Sequence, residues 1–488
     1  MSIIDKAKEF ITGEQDQKVV VIGLDCFTRQ IAFDRLKDDM PNTKELMEKG
    51  TYGNIRSVTP PITSPAWYCM MSSKSPGTLG AYGFRHRKIG TYKDKYFATA
   101  DKIDDDRAWD IIGDHGKKVG VIGVPTTFPP EEVNGFIVTS FLTPGIDSDF
   151  VRPKEMKQEI LDRAKFDGEY SSKENSYMLD VEDFRSDDNE RILHDIFEMT
   201  EKRAKIMTEL MEEKDWDFFM TVFMGPDRLH HGFWKYWDED HKDYEPGNKF
   251  EDAIPRYYRF MDKQIGKILD KADENTTVII VSDHGAKPMD GCICLNEFLR
   301  EEGYLELKEE PEEMQRLDEG MIDWENTEAW GWGGYYARLF LNVEGREEEG
   351  RIPEEEYEDK RDELIEKLEN LKGPDGEDIG TKVLKPEEVY DDPKGDQPDL
   401  MVFFGDLAWR SSGSVGTDSI YLMENDTGPD HANHDWDGVF IAHRPGEDGL
   451  GRISGINIKD VAPTILKEMD IPIPGDFEGK PIQIVNED

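Results

Sequence analysis

Apolar residues in this chain collect into short unbroken runs, and polar stretches with helical spacing lie between them. The first run, KVVVIGL at residues 18–24, is rich in valine and isoleucine and predicts a parallel strand buried on both faces. Runs at 119–123, 136–140, 218–223, 277–281, 400–404 and 438–442 predict further core strands. Helical spacing predicts helices near 43–49 and over 190–213 and 253–272. In TSPAWYCMMSS, residues 63–73, Pro65 stands where a first helical turn tolerates proline. Thr63 or Ser64 is placed to cap, and both hydroxyls sit at the positive end of a helix. Strands alternating with helices predict an α/β fold, a mostly parallel central sheet sandwiched by helices.

What sets these runs apart is the chemistry at their ends. Run 18–24 stops at Asp25, run 277–281 leads into Ser282-Asp283-His284-Gly285, and His434 stands just before run 438–442. Asp227 and His231, four apart after run 218–223, would share one face of a helix, a usual way to bring two ligands to one ion. Open α/β sheets gather ligands at the carboxyl ends of their strands. Each residue has a plainer reading alone. Asp25 could serve as a turn or cap, Asp227 and His231 as a solvated pair, Asp283-His284 as a turn, and His434 or its neighbour His431 as loop surface. Together with the hydroxyls of Thr63 and Ser64, the six residues suggest a two-metal hydrolase with a threonine or serine nucleophile. Imidazole and carboxylate ligands without sulfur favour zinc and permit manganese.

Composition narrows the setting. The chain has 488 residues, 106 of them acidic against 60 basic, for a net charge of −46. Such an excess repels itself in dilute solution, and molar salt shortens the screening length to about 3 Å, so a salt-adapted, halophile-type cytoplasm is expected. Without basic patches, no nucleic-acid polymer is expected as a partner. The start, MSIIDKAKEF, lacks a hydrophobic signal core, and no apolar stretch reaches the roughly 18 residues of a membrane span. A soluble, cytoplasmic protein is the expectation. Its four cysteines, Cys26, Cys69, Cys292 and Cys294, are too few and irregular for a disulfide framework. One catalytic domain over 1–488 is expected, with insertions at about 145–190 and 301–398. The second insertion holds the aromatic cluster Trp330, Trp332, Tyr335 and Tyr336, read as insertion core ahead of a stacking wall.

The chain resembles the type I phosphodiesterase and nucleotide pyrophosphatase family of the alkaline phosphatase superfamily. The matching pieces are GLD at 23–25, PPITSPAWYCMMSSKSPGTLGAYGF, DxxxH from Asp227 to His231, SDHG at 282–285, HxxDGVFIA from His434, and DVAPTILKEMDIPIP near the end. The resemblance implies one metal held by Asp25, Asp283, His284 and the nucleophile oxygen, and another held by Asp227, His231 and His434. It implies Thr63 as nucleophile, a phospho-enzyme intermediate, and a small phosphorylated substrate. A sulfatase relative would want an arginine two residues after Pro65, and Trp67 stands there. The alternatives are a phosphoglycerate-mutase-like phosphotransfer on the same scaffold and a metal-binding scaffold without catalysis. Arg85 and Arg87 are the nearest candidates for substrate contact, with a solvated surface pair as the plainer reading. The sequence leaves oligomeric state and exact substrate open.

Overall fold

The computed structural model describes residues 17–103 and 105–486, so the start MSIIDKAKEF lies outside the described residues. Nine strands form one sheet: β1 (Lys18–Leu24), β2 (Thr51–Arg56), β3 (Val119–Ile122), β4 (Gly135–Val138), β5 (Val151–Arg152), β6 (Phe218–Phe223), β7 (Thr276–Val281), β8 (Asp437–His443) and β9 (Gly451–Asn457). Their spatial order is β9-β2-β8-β7-β1-β6-β3-β4-β5. The middle five, β7-β1-β6-β3-β4, are all parallel, and β8 runs antiparallel to both of its neighbours. Register places Val21 of β1 between Met220 and Ile279. Every residue of β6 and β7 is buried, which is why these strands read as continuous apolar runs.

Helices cover the sheet: α1 (Pro41–Lys49), α2 (Thr63–Ser72), α3 (Asn189–Glu213), α4 (Gly225–Trp237), α5 (Ala253–Leu269) and α6 (Val461–Glu468). Helix α3 carries its apolar positions at helical spacing, so Ile192, Ile196, Met199, Ile206 and Leu210 are buried while the opposite face carries charge. The predicted helices are thus present, each within a few residues of its expected bounds.

In three places the structure holds what the sequence did not predict. Run 400–404 is a strand, Leu400–Phe403, but it belongs to a separate four-stranded antiparallel sheet with Ala329–Trp332, Ala337–Leu341 and Lys382–Leu384. That sheet has its own apolar core, including Trp330, Leu339, Phe340, Leu364 and Val402. An apolar run is equally at home in either core, so its pattern could not say which. Second, β2 and β9 are strands without long apolar runs: β2 alternates buried and half-buried positions, and β9 is largely solvent-facing. Third, neither Thr63 nor Ser64 caps α2. Ile62 takes the cap position with extended backbone, and the helix begins one residue earlier than expected. Both hydroxyls therefore sit inside the first turn, free of the backbone.

The polar stretch 145–190 reaches into the main core: Phe150 and Ile160 are fully buried, and Val151–Arg152 is the sheet's edge strand. No described helix is long and apolar enough to cross a membrane.

Candidate active site

The two central strands deliver the first carboxylates. Asp25 follows β1 and Asp283 follows β7, one residue past a serine, so the parallel register of the two strands sets them side by side. The backbone N–H of Cys26 donates to Asp283 Oδ1 at 3.2 Å, and Trp67 Nε1 donates to Asp25 Oδ2 at 2.7 Å. Trp67 reaches Asp25 across Gly23, where an added Cβ would lie 2.6 Å from the indole. Cys26 is buried beneath the site, with Sγ 3.4 Å from the Gly285 carbonyl oxygen.

After Asp283 the chain turns into a short ladder. Gly285–Pro288 pairs antiparallel with Ala432–Asp435, which sets Ala286 opposite His434. Gly285 has no left-handed backbone; glycine is needed there for space, because an added Cβ would lie 2.2 Å from the Asp437 carbonyl oxygen. The ladder stacks the rings of His284 and His434 at 3.8 Å, and Tyr335 stacks on the other face of His434 at 3.8 Å. Helix α4 supplies Asp227 and, one turn on, His231, whose Nε2 lies 3.3 Å from Asp227 Oδ1. His434 Nε2 is 3.7 Å from that same oxygen. His284 Nε2 lies 3.2 Å from Asp283 Oδ2, 3.7 Å from Asp25 Oδ1 and 3.3 Å from Thr63 Oγ1. All six acid and histidine residues predicted from sequence are thus brought together, and Thr63 faces them.

Each histidine is oriented through its other ring nitrogen. His231 Nδ1 lies 2.7 Å from Asp430 Oδ1, His434 Nδ1 lies 2.7 Å from the Pro61 carbonyl oxygen, and His284 Nδ1 lies 3.0 Å from the Gly285 carbonyl oxygen. Nε2 of all three is thereby aimed at the centre, the usual way a protein presents imidazole to a metal. His431 does otherwise: its ring packs on Tyr236 and His241, and its backbone N–H donates to the His231 carbonyl. His230 turns away as well, to the Tyr258 hydroxyl at 3.0 Å.

Five buried atoms at the centre have no hydrogen-bond partner: Asp25 Oδ1, Asp227 Oδ1, Asp283 Oδ2, His231 Nε2 and His434 Nε2. A buried polar atom without a partner costs about 1–3 kcal/mol, more if charged, so five on one surface point to something that binds them. Two triads lie close enough to hold an ion each, Asp227-His231-His434 and Asp25-Asp227-His284, with Asp227 in both. Oxygen and imidazole donors of this kind fit divalent cations. Electrostatics agree. Burial, then the charge of Asp227, pushes the Asp25 carboxyl well up; burial, then Asp25, does the same to Asp283. Burial also works to raise Asp227, but His231 and Arg228 outweigh it and hold its carboxyl well below the usual range. Burial holds His284 down to about 4. Bound cations would relieve the crowding of the three carboxylates.

Sequence reasoning missed the arginines and acids around this centre. Arg228 meets Asp227 at 2.5 Å and grips Asp180 through two bonds. Arg185 and Arg410 both meet Asp430, at 2.9 and 2.7 Å. Asp430 opens the DHANH segment, so its nearness to His434 was the available signal. A cavity of about 590 Å³ opens beside Thr63 and is lined by Phe84, Phe141, Phe184, Tyr335 and several arginines. Of the aromatic cluster, Trp330 is fully buried in the second core, whereas Tyr335 and Tyr336 line the cavity. Arg85 lines it too. Arg87 corrects the surface-pair reading: it is buried against Trp330 and Phe340 and paired with Glu347 at 3.1 Å. Cys292 and Cys294 are buried and unpaired on the strand Gly291–Cys294, which pairs with Trp409–Ser412 and Tyr421–Leu422.

A family model described as type I phosphodiesterase / nucleotide pyrophosphatase matches residues 19–437. No curated protein matches the sequence. Among solved structures, human ectonucleotide pyrophosphatase / phosphodiesterase 5 aligns over 94% of this chain and 96% of its own, with TM-score 0.53 and 14% identity. An inactive murine form of the same protein, in complex with AMP, aligns over the same shares with TM-score 0.54 and 13% identity. At these identities the likeness shows the fold.

Proposed function

We infer the reaction from a premise: the chain belongs to the type I phosphodiesterase / nucleotide pyrophosphatase family, so it is a hydrolase of phosphodiester or pyrophosphate bonds. The finer reading is a phospho-enzyme mechanism at Thr63, on a small nucleotide-type substrate, with two divalent cations. The observation that carries it is the set of five orphaned acid and imidazole atoms gathered around His284, whose Nε2 lies 3.3 Å from the Thr63 hydroxyl.

One cation would be held by Asp25, Asp283, His284 and Thr63, the other by Asp227, His231 and His434. Asp227, common to both close triads, would stand between them. Zinc suits the donors best, and manganese is permitted. Bound there, two such ions supply Lewis acidity to the attacking and leaving oxygens and make a hydroxyl of otherwise high pKa a competent nucleophile.

The chain's own residues do the rest. Thr63 sits in the first turn of α2, where unsatisfied backbone N–H groups and the helix dipole favour a phosphoryl anion. Its Oγ1 attacks phosphorus, forming a P–O bond as the bond to the leaving alcohol or phosphate breaks. Water then cleaves the phosphothreonine and restores the hydroxyl. Trp67 and Asp430 hold Asp25 and His231 in place throughout. Tyr335, Phe84 and Phe184 offer flat surfaces for a base, as would suit a nucleotide. No nucleic-acid polymer is required as partner. The whole chain is read as one catalytic domain with insertions. Four buried, unpaired cysteines favour a reducing, cytoplasmic setting, and the −46 charge a salt-adapted one.

Comparing Thr63→Ala with Ser64→Ala tests the nucleophile. With bis(p-nitrophenyl) phosphate, Thr63→Ala should lose on the order of a thousandfold or more in turnover and keep its metal. Ser64 Oγ is buried without a partner, so Ser64→Ala should keep most activity. Loss in Ser64→Ala with turnover intact in Thr63→Ala would move the nucleophile by one residue.

A further inference from the structure

The cavity beside Thr63 is lined by six arginines, and they fall into two groups. Arg185, Arg228 and Arg410 are each paired with a carboxylate, Asp430 or Asp180 and Asp227. Arg85, Arg316 and Arg338 have no carboxylate within ion-pair distance among the described residues. In a chain with 106 acidic residues, partners are plentiful, so three unpaired guanidiniums on one wall call for explanation.

The three come from different elements. Arg85 lies on the short strand Arg85–Arg87, Arg316 on Gln315–Arg316 and Arg338 on Ala337–Leu341. Arg338 is opposite Trp332 in its ladder, and Trp332 also receives Arg85, the guanidinium carbons lying 5.1 and 5.9 Å from its ring. Arg338 is only 8% exposed; one amino group donates to the Arg85 carbonyl oxygen, and its Nε is buried without a partner. The three are close enough to repel. Burial, then Arg316 and Arg338, holds Arg85 down to about 10, and burial lowers Arg338, with Arg316 adding to the effect. Acids nearby are already engaged: Glu319 meets Lys95 at 2.6 Å, and Asp426 accepts from Ser412 and Ser414 at 2.7 and 2.9 Å. A buried guanidinium beside two like charges is costly unless an anion neutralises it.

We propose that Arg85, Arg316 and Arg338 form a second anion site in the cavity, which holds a phosphate monoester group of the substrate apart from the phosphoryl group attacked by Thr63. The inference rests on the phosphodiesterase reading and narrows its substrate class to phosphodiesters or pyrophosphates that bear an additional phosphate. Phosphate suits the site because its several anionic oxygens can accept from more than one planar guanidinium fork at once. The reaction at Thr63 is unchanged; the second phosphate positions the substrate.

Binding to metal-loaded Thr63→Ala protein tests this without turnover. Affinities for AMP, ADP and adenosine 2′,5′- and 3′,5′-bisphosphate would be measured by calorimetry in 1 M salt, where screening over about 3 Å removes long-range attraction. At least one doubly phosphorylated nucleotide should bind about tenfold or more tighter than AMP, the scale of one charge-assisted hydrogen bond. Adding Arg316→Ala, at an exposed position, should bring that ratio close to one, and Arg85→Ala should do the same. Equal affinities for all four, no binding of any doubly phosphorylated nucleotide, or a ratio that survives both substitutions would overturn the second site. Hydrolysis of bis(p-nitrophenyl) phosphate by the unaltered protein, which needs no second phosphate, reports separately on the phosphodiesterase reading.

Discussion

Two walls meet at Thr63, a buried cluster on one side and the lining of the open cavity on the other, and they differ in charge and in origin. The first is carried by the central sheet and the elements at its strand ends: Asp25, Asp227, His231, Asp283, His284 and His434, with orphaned oxygens and nitrogens among them and His284 against Thr63. The other is carried by short strands outside that sheet and presents Arg85, Arg316 and Arg338, with Arg338 Nε orphaned in turn. Both walls keep buried polar atoms unsatisfied, a cost that folding alone does not reward. The first wall asks for cations and the second for an anion. A phosphorylated substrate spanning them would answer both, with the global charge of −46 held outside the pocket.

The comparison is most easily broken on the first wall. Asp430→Asn should loosen His231 while leaving the arginine wall in place. It should weaken binding of the second cation by roughly 10- to 100-fold, the usual effect of removing a ligand's orienting partner. Because Arg185 and Arg410 would lose a shared, fully buried carboxylate, unfolding stability should also fall by about 3 kcal/mol. Metal titration and chemical unfolding of the variant check both; unchanged metal affinity would show that Asp430 serves only the arginines.

A second effect should come from both sides alike. His86, behind the arginine wall, and His230, behind the metal wall, are buried and held down to about 3, mainly by burial. The unfolded chain takes up protons on these residues near pH 6.5 and the folded chain does not. Their contribution is therefore complete above pH 6.5 and lost as pH falls toward 3, at about 1.4 kcal/mol per pH unit for each group. Because His284, His431 and His434 are held down as well and His231 is held up, the test is a difference: between pH 6.5 and 5 the unaltered protein should lose stability faster than His86→Gln by up to about 1.4 kcal/mol per pH unit. Equal slopes would mean that the His86 ring finds a proton acceptor in the fold.

The smallest expected effect is general. Screening the excess acid should raise the unfolding midpoint between dilute and molar salt, by about 1 °C for each kcal/mol of repulsion removed from a domain of this size. Greatest stability in dilute buffer would reject the salt-adapted reading and leave both walls untouched.

The walls also differ in how far the sequence revealed them. Asp25 and Asp283 follow valine and isoleucine runs whose burial forces a strand, and a strand end is a fixed place in an α/β sheet. Asp227 and His231 share a helical face by spacing alone. The arginine wall has no such local rule. Arg338 gains its place from pairing with Trp332, and Arg316 stands in the acidic stretch EEMQRLDEG, where no periodicity points to a strand. Their meeting is decided by long-range pairing in small antiparallel sheets, and no spacing encodes that. The same cause put run 400–404 in the wrong sheet. Even within the legible wall, the cap of α2 was misplaced by one residue, because Ile62, which carries no capping side chain, takes the position.

The central claim is that the orphaned atoms of the first wall hold two divalent cations that the hydrolysis needs. Chelator-treated protein titrated with zinc, and separately with manganese, while bis(p-nitrophenyl) phosphate turnover and bound metal are followed together, tests it most directly. Turnover should be absent at the start and should saturate at two equivalents of metal per chain. Full turnover in the chelated protein, or saturation with fewer than two ions bound, would contradict it.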